Sequence, residues 1–406
     1  MNRRILIVSA LGAVAAGALV WSAILHYYFD SGVYAGAVRY WFRDGGMVYD
    51  YLKPDSPYGF TYPPFAGLTM APMAFLPLWA VATLASIATI AVTVLVMWWF
   101  LAPMIRRRGW TPWYAVGVAS CLALVFEPVR ETFGFGQVNV LLLALVAGDV
   151  LFGVARGRRW GGVGIGVATA IKLTPGIFIL YLLVTRRWRA AGTSIGAAAG
   201  ATLLAGAVWP DATREFWTAA LWDTNRVGDL EYVSNQSLRG MLARLPVDEV
   251  ESRLWVVCVL LTLALWAWRV RRADPLGGLA LTGIVGCLIS PVTWVHHWVW
   301  LLPVLVRCVE VARARRPVFY LGIAAYALMT SRLTFAYQSG PRPPLAVLGG
   351  NLYVLFGLAL LIWLPTRAGA AAEPRGLARA GAVAAEPPDE QGIGKIETPR
   401  VSRTAT

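Results

Sequence analysis

The stretch that decides the fold is Ile5–Tyr28, which reads ILIVSALGAVAAGALVWSAILHYY and is followed by FDSGVY at 29–34. A helix of about 20 apolar residues is long enough to cross a bilayer. Arg3-Arg4 and the small residues at 13–15 resemble parts of a signal peptide, but the apolar run continues well past them. This length favours an uncleaved membrane anchor. We therefore predict a first transmembrane helix followed directly by an acidic residue, Asp30.

The composition indicates an integral membrane protein. The 406-residue chain is 58% hydrophobic and 14% charged, whereas soluble domains carry about 25% charged residues. Further apolar stretches of roughly 12 to 23 residues, separated by polar breaks, favour helices over the strands of a barrel. The four cysteines lie inside apolar runs without CxxC spacing, which is typical of buried small side chains. The sequence thus predicts an all-α polytopic membrane protein.

Clusters of arginine predict how the chain threads the membrane, because cytoplasmic loops are rich in Lys and Arg. The same rule explains the net charge of +14 without a nucleic-acid partner. Residues 1–365 form the predicted transmembrane domain, and 366–406, rich in Ala, Gly and Pro, form a predicted disordered cytoplasmic tail. Both termini are predicted to be cytoplasmic. The twelve predicted crossings are 5–28, 79–102, 112–126, 138–155, 160–171, 174–185, 190–208, 254–268, 276–289, 298–312, 317–330 and 348–364.

Two segments are too short or too irregular for ordinary spans. Only 26 residues separate Arg159 from Arg186, too few for two full crossings. We predict a short hairpin with its apex at Lys172–Pro175, buried in protein or lining a wet cavity. Phe65–Leu78, which holds two prolines, is predicted to be a re-entrant or juxtamembrane element.

With this threading, the outer loops collect nearly all the unusual polar side chains, and the inner loops carry little except arginine. The asymmetry predicts an active site on the extracytoplasmic face. Asp30 lies in the first outer loop, where a solvated cap is the alternative to a catalytic acid. Lys172 in an apolar hairpin is costly unless it is paired or hydrated. It either snorkels to the interface or binds a phosphate.

The paired histidines, His296 and His297, follow another outer segment. Neighbouring residues on a helix point about 100° apart, so one metal ion would not readily take both. A proton carrier or phosphate contact is one interpretation, and interfacial histidines beside a tryptophan belt are the other. The outer loops contain no Asp-x-Asp pair, so we do not expect a divalent cation holding a nucleotide-sugar diphosphate.

Six short motifs follow one another along the chain. In order they are Asp30-Ser-Gly-Val-Tyr34, Thr61-Tyr-Pro-Pro64, Gly136-Gln-Val-Asn139, Ile171-Lys-Leu-Thr-Pro175, Asn235-Gln-Ser237 and Ser290-Pro-Val-Thr-Trp-Val-His-His297. Together they resemble the motifs of glycosyltransferase family 87. These are polyprenyl-phosphate-mannose-dependent α-(1→2) mannosyltransferases of the GT-C class, and the chain is similar to the mycobacterial enzymes that extend phosphatidylinositol mannosides or branch lipomannan.

The resemblance implies a GT-C fold, with extracytoplasmic loops forming the active site in the cell membrane, and a metal-independent, inverting transfer of mannose to a mannosyl glycolipid. Asp30 would be the general base, and His297 would act with Lys172 on the leaving phosphate. The implied donor-binding residues are Lys172, Tyr34, Tyr62, Gln137, Asn139 and His296. The implied acceptor-binding residues are Asn235, Gln236, Trp294 and Arg39.

Two alternatives remain at this stage. A GT-C enzyme that transfers another polyprenyl-phosphate sugar, such as arabinose, would carry the same motifs. A lipid or sugar transporter is the alternative outside catalysis. Transporters often show internal repeats and broken helices at the midplane, whereas this sequence shows no evident repeat and its polar groups crowd one face.

Overall fold

The predicted first span is a helix in the computed structural model, which describes residues 3–223, 226, 228–245, 251–338 and 344–368. Almost all of the predicted tail, 366–406, lies outside the described residues. The described residues are helical nearly throughout, and their only extended pairing is two isolated antiparallel bridges, Leu52 with Gly59 and Asn235 with Trp294. The prediction of an all-α protein is confirmed.

The helices follow one another with short connections. The α-helices are α1 (Arg3–His26), α2 (Phe29–Phe42), α3 (Pro64–Met70), α4 (Leu78–Arg108), α5 (Pro112–Val125), α6 (Glu127–Phe135), α7 (Asn139–Gly148), α8 (Val163–Ile171), α9 (Ile177–Val184), α10 (Trp188–Val208), α11 (Pro210–Glu215), α12 (Leu238–Ala243), α13 (Glu251–Val270), α14 (Pro275–Ile289), α15 (Leu302–Glu310), α16 (Arg316–Thr330), α17 (Pro344–Gly349) and α18 (Leu352–Trp363). Short 3-10 segments are Ala71–Phe75, Thr174–Gly176, Val295–Leu301 and Leu333–Tyr337, and π-helical segments are Asp149–Val154 and Phe216–Ala220.

Among the described residues, four helices are long and apolar enough to cross a membrane: α1, α4, α10 and Ser252–Val270 of α13. Helices α5 and α6 would count as a fifth span, although they meet at a 67° bend. Each of the twelve predicted crossings coincides with helical structure, but several of these helices are shorter than a bilayer. The membrane character is therefore clear, and the count of twelve stays a prediction.

The hairpin predicted between the two arginine clusters is present. Helix α8 ends at Ile171, and Lys172 adopts an extended backbone conformation before the turn that starts α9. At its other end, α8 is capped by the Asp149 carboxylate, which accepts hydrogen bonds from the amides of Gly162 (2.8 Å) and Ile165 (2.9 Å). Because α8 is short and capped, it holds Lys172 at a defined position.

The junction between α1 and α2 corrects one prediction, since Asp30 lies in the first turn of a helix and not in a loop. Tyr27 and Tyr28 both adopt the left-handed conformation, with φ of 50° and 51°, which is unfavourable for a residue with a side chain. The amide of Tyr28 donates to the carbonyl of Gly134 (3.0 Å) at the end of α6. The two turns thus redirect the chain and bring Asp30 beside the α6–α7 junction.

Two other segments outside the predicted crossings are also helical. Helix α3 and the following 3-10 turn occupy most of Phe65–Leu78, the predicted re-entrant or juxtamembrane element. Helix α6 contains the acidic and basic residues of the second predicted outer loop. These helices are short, and prolines or charged residues interrupt them, so their sequences lack the long apolar run by which a span is recognised.

Candidate active site

A cavity of about 400 Å³ lies where the α1–α2 junction, the α6–α7 junction, the hairpin and the segment before α15 meet. Its size falls within the range of known small-molecule sites. The predicted site residues that line it are Asp30, Tyr34, Tyr62, Gln137, Lys172, Trp294, His296 and His297. Residues from five separate parts of the sequence therefore face one space.

The Asp30 carboxylate is held by a chain of hydrogen bonds. The side-chain amide of Gln137 donates to Asp30 Oδ2 (2.7 Å), and the hydroxyl of Tyr62 donates to Gln137 Oε1 (2.9 Å). The Tyr62 hydroxyl also lies 2.8 Å from the hydroxyl of Tyr34. Because Tyr62 occupies the amide oxygen, Gln137 can only present its NH₂ group to Asp30.

The environment of Asp30 makes it a stronger base than an exposed aspartate. Burial raises the pKa of Asp30 to about 6, and the hydrogen bond from Gln137 and the charges of Lys172 and His26 limit that rise. A catalytic base is most effective when its pKa lies near the working pH. The carboxylate is therefore ionised at neutral pH and able to accept a proton.

Lys172 lies in the same cavity and is 7% exposed. Its Nζ donates to Asn139 Oδ1 (3.0 Å), lies 3.0 Å from His297 Nε2 and stands over the ring of Tyr62 at 5.1 Å. Burial lowers the pKa of Lys172 to about 8, and the negative charge of Asp30 opposes that fall. Asn139 itself does not line the cavity and instead supports Lys172 from behind.

His297 is oriented by its own segment. The amide of Trp294 donates to His297 Nδ1 (3.2 Å), so in the neutral ring this contact assigns the proton to Nε2. Burial, followed by the charge of Lys172, holds the pKa of His297 well below its usual range. The Nε2–H group and the Lys172 ammonium are then both donors, so the 3.0 Å between them is not a hydrogen bond. The two donors converge on the same space, an arrangement suited to an anion that accepts from both.

Three of the predicted acceptor-binding residues are not brought to the cavity. Arg39 donates to the carbonyl of Leu76 (2.9 Å) and ties α2 to the turn after α3. Asn235 and Gln236 are fully buried, and their side-chain amides hold neighbouring backbone groups, including the Thr293 amide (2.9 Å) and the Gly350 carbonyl (2.8 Å). These three side chains therefore brace the segments that form the cavity.

The cavity also has a charged wall that the sequence motifs did not single out. His26 and Glu131 form an ion-pair contact, and Arg332 donates to Glu131 Oε1 (2.6 Å). All three line the cavity. His26 ends an apolar span, where an interfacial histidine is unremarkable, and nothing in the sequence links it to Glu131 or Arg332.

Among the residues that the structure describes, no group of three or more His, Cys, Asp or Glu side chains could hold a metal ion. The adjacent rings of His296 and His297 meet edge to face, with planes 83° apart and centroids 4.7 Å apart. The two rings thus diverge in the way expected of neighbouring residues. Metal-independent transfer stays a prediction.

A sequence model of glycosyltransferase family 87 matches residues 60–291, more than half of the chain. The chain belongs to glycosyltransferase family 87. The resemblance drawn from the six motifs is therefore confirmed, and this family 87 protein is a glycosyltransferase. The matched stretch begins after Asp30 and ends before His296 and His297, so the roles of these three residues are argued from geometry.

Curated relatives extend the match beyond that stretch. A polyprenol-phosphate-mannose-dependent α-(1-2)-phosphatidylinositol mannoside mannosyltransferase of Mycolicibacterium smegmatis is 34% identical, over 74% of this chain and 74% of its own. The corresponding phosphatidylinositol pentamannoside mannosyltransferase of the same organism is also 34% identical, over 83% of this chain and 85% of its own. The crystal structure of ArnT from Cupriavidus metallidurans bound to undecaprenyl phosphate aligns with 87% of the family 87 chain and 76% of its own, at 19% identity and a TM-score of 0.40.

Proposed function

We propose that this family 87 protein transfers mannose from polyprenyl-phosphate-mannose to a mannosyl glycolipid of the phosphatidylinositol mannoside or lipomannan type, forming an α-(1→2) linkage. The printed activities of the mycobacterial relatives support this donor and linkage. The reaction takes place at the extracytoplasmic face of the cell membrane, with both termini in the cytoplasm and no metal ion required.

The observation that carries the proposal is one cavity that holds a carboxylate base together with a lysine cation and a neutral imidazole N–H donor beside it. Asp30 lies on one part of the wall, and Lys172 and His297 lie together on another. Glycosyl transfer from a lipid phosphate needs a base for the acceptor hydroxyl and positive charge for the departing phosphate. These three side chains meet both requirements.

The mechanism follows from these roles. A hydroxyl of the acceptor mannose attacks the anomeric carbon while Asp30 takes its proton, a contribution of about 10²- to 10⁴-fold in rate. The bond from the anomeric carbon to the phosphate oxygen breaks, and the phosphate carries away the electron pair. Lys172 and the Nε2–H of His297 stabilise the charge that grows on it.

The carboxylates around the cavity support an inverting reaction. A retaining transfer through a covalent intermediate needs a second carboxylate as nucleophile, placed near the first. Among the described lining residues, the other acids are Glu131 and Asp223. Glu131 is held by His26 and Arg332, and Asp223 pairs with Arg226 (3.4 Å). Asp30 is therefore the one acid suited to act directly on substrate.

The direct test is transfer by purified protein in detergent. Polyprenyl-phosphate-mannose with labelled mannose is incubated with a phosphatidylinositol mannoside acceptor, and the product linkage is read by mass spectrometry and glycosidase digestion. We expect an α-(1→2)-mannosylated product without added metal and in the presence of EDTA. Transfer from polyprenyl-phosphate-arabinose but not from the mannose donor would contradict the proposal.

A further inference from the structure

His296 is a buried polar side chain without a hydrogen-bond partner among the residues that the structure describes. The residue is 5% exposed and lines the cavity, and no described residue bonds either ring nitrogen. A buried donor or acceptor without a partner is destabilising, and such groups in native proteins call for an explanation. The ring of its neighbour, His297, by contrast accepts a hydrogen bond from the Trp294 amide at Nδ1 and faces Lys172 Nζ at Nε2.

The His296 ring cannot easily turn away to find a partner. Its backbone carbonyl accepts hydrogen bonds from Thr132 Oγ1 (3.1 Å) and Asn139 Nδ2 (3.1 Å), which fix the backbone between α6 and α7. The ring itself packs between Phe135, at a centroid distance of 5.1 Å, and His297 at 4.7 Å. The ring is thus held in place in the wall of the cavity that His296 lines.

The chemistry of the ring limits what it can bind. Burial, with the charges of Lys172 and His26, holds the pKa of His296 well below its usual range, so the ring is neutral. A neutral imidazole offers one N–H donor and one acceptor nitrogen. A phosphate has only acceptor oxygens and satisfies at most the N–H, whereas a sugar hydroxyl both donates and accepts.

We infer that His296 is a specificity-determining residue that binds hydroxyl groups of a hexopyranose held in this cavity. The inference rests on the proposed function, and it separates His296 from His297, which faces the phosphate. The donor mannose and the terminal mannose of the acceptor supply the same hydroxyl chemistry. The experiment therefore has one arm for each sugar.

The test is a thermodynamic cycle that combines a change in the protein with the removal of single hydroxyl groups from the substrate. His296→Phe keeps a flat ring but removes both nitrogens. In the donor arm, polyprenyl phosphates carrying 2-, 3-, 4- and 6-deoxymannose are compared with the parent mannose. In the acceptor arm, octyl α-mannoside is compared with its 3-, 4- and 6-deoxy forms. The readout is kcat/KM for each pair of protein and substrate.

We expect removal of the hydroxyl that His296 binds to lower kcat/KM of the wild-type protein by about 10- to 100-fold. In His296→Phe, the penalty at that one position should fall to less than threefold, and the penalties at the other positions should persist. His296→Gln, which restores a donor and an acceptor, should recover part of the discrimination. Phe135→Leu, which removes a packing neighbour but no nitrogen, should retain the wild-type pattern.

Equal deoxy penalties in wild type and His296→Phe at every position of both sugars would overturn the inference. If the wild-type protein transfers no mannose, the proposed function fails, and the same cycle is then measured as binding of octyl α-mannoside and its deoxy forms by isothermal titration. His296 retains its role if one deoxy penalty in binding disappears in His296→Phe. It loses that role if none does.

Discussion

At the scale of single residues, the two pKa shifts at the centre of the cavity predict the pH dependence of catalysis. Asp30, with its pKa raised to about 6, must lose its proton to act as base, so activity rises through that pH. Lys172, with its pKa lowered to about 8, loses the charge that stabilises the phosphate as pH rises further. We expect a bell-shaped profile of kcat/KM with limbs near these two values.

Lys172→Arg is the control for the alkaline limb of this profile. An arginine stays protonated at all accessible pH values, so that limb should disappear even if the maximal rate is lower. A wild-type profile that is flat between about pH 5 and 9 would contradict the assignment of both groups.

Gln137 provides a second prediction at this scale. Its amide donates to Asp30 and so favours the ionised carboxylate. Gln137→Leu removes that bond at similar volume, and the pKa of Asp30 should rise. The acid limb of kcat/KM should therefore move to higher pH. Tyr34→Phe, which removes a hydroxyl further along the same chain, should move the limb less. An unchanged limb in Gln137→Leu would rule out this positioning role.

The sequence was informative about residues that are unusual for their position. Asp30 directly after a span and Lys172 inside an apolar hairpin could be recognised because each is costly or improbable without a partner. The prediction that Asn235 and Gln236 bind the acceptor differs from their role in the structure, where they bond backbone groups. A side-chain amide uses the same atoms to bind a ligand or a backbone group, so the sequence does not distinguish these two roles. His26 could not be recognised as a residue of the site from the sequence, because its partner Glu131 is distant along the chain.

At the scale of elements, the capping of α8 connects a buried acid to the active site. The Asp149 carboxylate accepts amides at the start of α8, and Lys172 follows its last turn. Asp149→Ala should destabilise the protein by about 1–2 kcal/mol and raise the KM for the donor, because α8 no longer holds Lys172 in place. Asp149→Asn retains one acceptor oxygen, so its loss of stability and its rise in KM should both be smaller.

The Asp149 variants are compared by thermal unfolding in detergent and by steady-state kinetics with the donor varied. Unchanged Tm and KM in Asp149→Ala would show that the packing of α8 alone positions Lys172. A lower Tm with unchanged KM would separate the stability of the helix from the geometry of the site.

Prediction of the elements succeeded where apolar runs were long. All twelve predicted crossings coincide with helical structure, because a backbone in lipid must satisfy its own hydrogen bonds. The sequence predicts outer loops where α2 and α6 lie, because these short segments carry charged and polar residues. Their helical structure depends on tertiary contacts, such as the bond from Tyr28 to Gly134, that the local sequence does not reveal.

At the scale of the whole molecule, the arginine-rich turns and the cavity lie at opposite ends of α1. Arg4 donates to Thr111 (2.7 Å), just after the arginines that end α4, whereas His26 at the other end lines the cavity. A helix of 24 residues is about 36 Å long, enough to span a bilayer. The distribution of arginine along the sequence therefore predicts which end of α1 lies with the arginine-rich turns and which end lies with the cavity. It does not predict how α5, α6 and α8 pack to build the cavity.

The central claim, that Asp30 is the base for mannose transfer, is tested most directly by Asp30→Asn. Purified wild type and variant are compared for transfer of labelled mannose from polyprenyl-phosphate-mannose to a phosphatidylinositol mannoside, with Tm and donor affinity measured on the same samples. We predict that kcat/KM falls by about 10²- to 10⁴-fold while Tm and donor affinity stay close to wild type. Turnover near the wild-type rate would contradict the account.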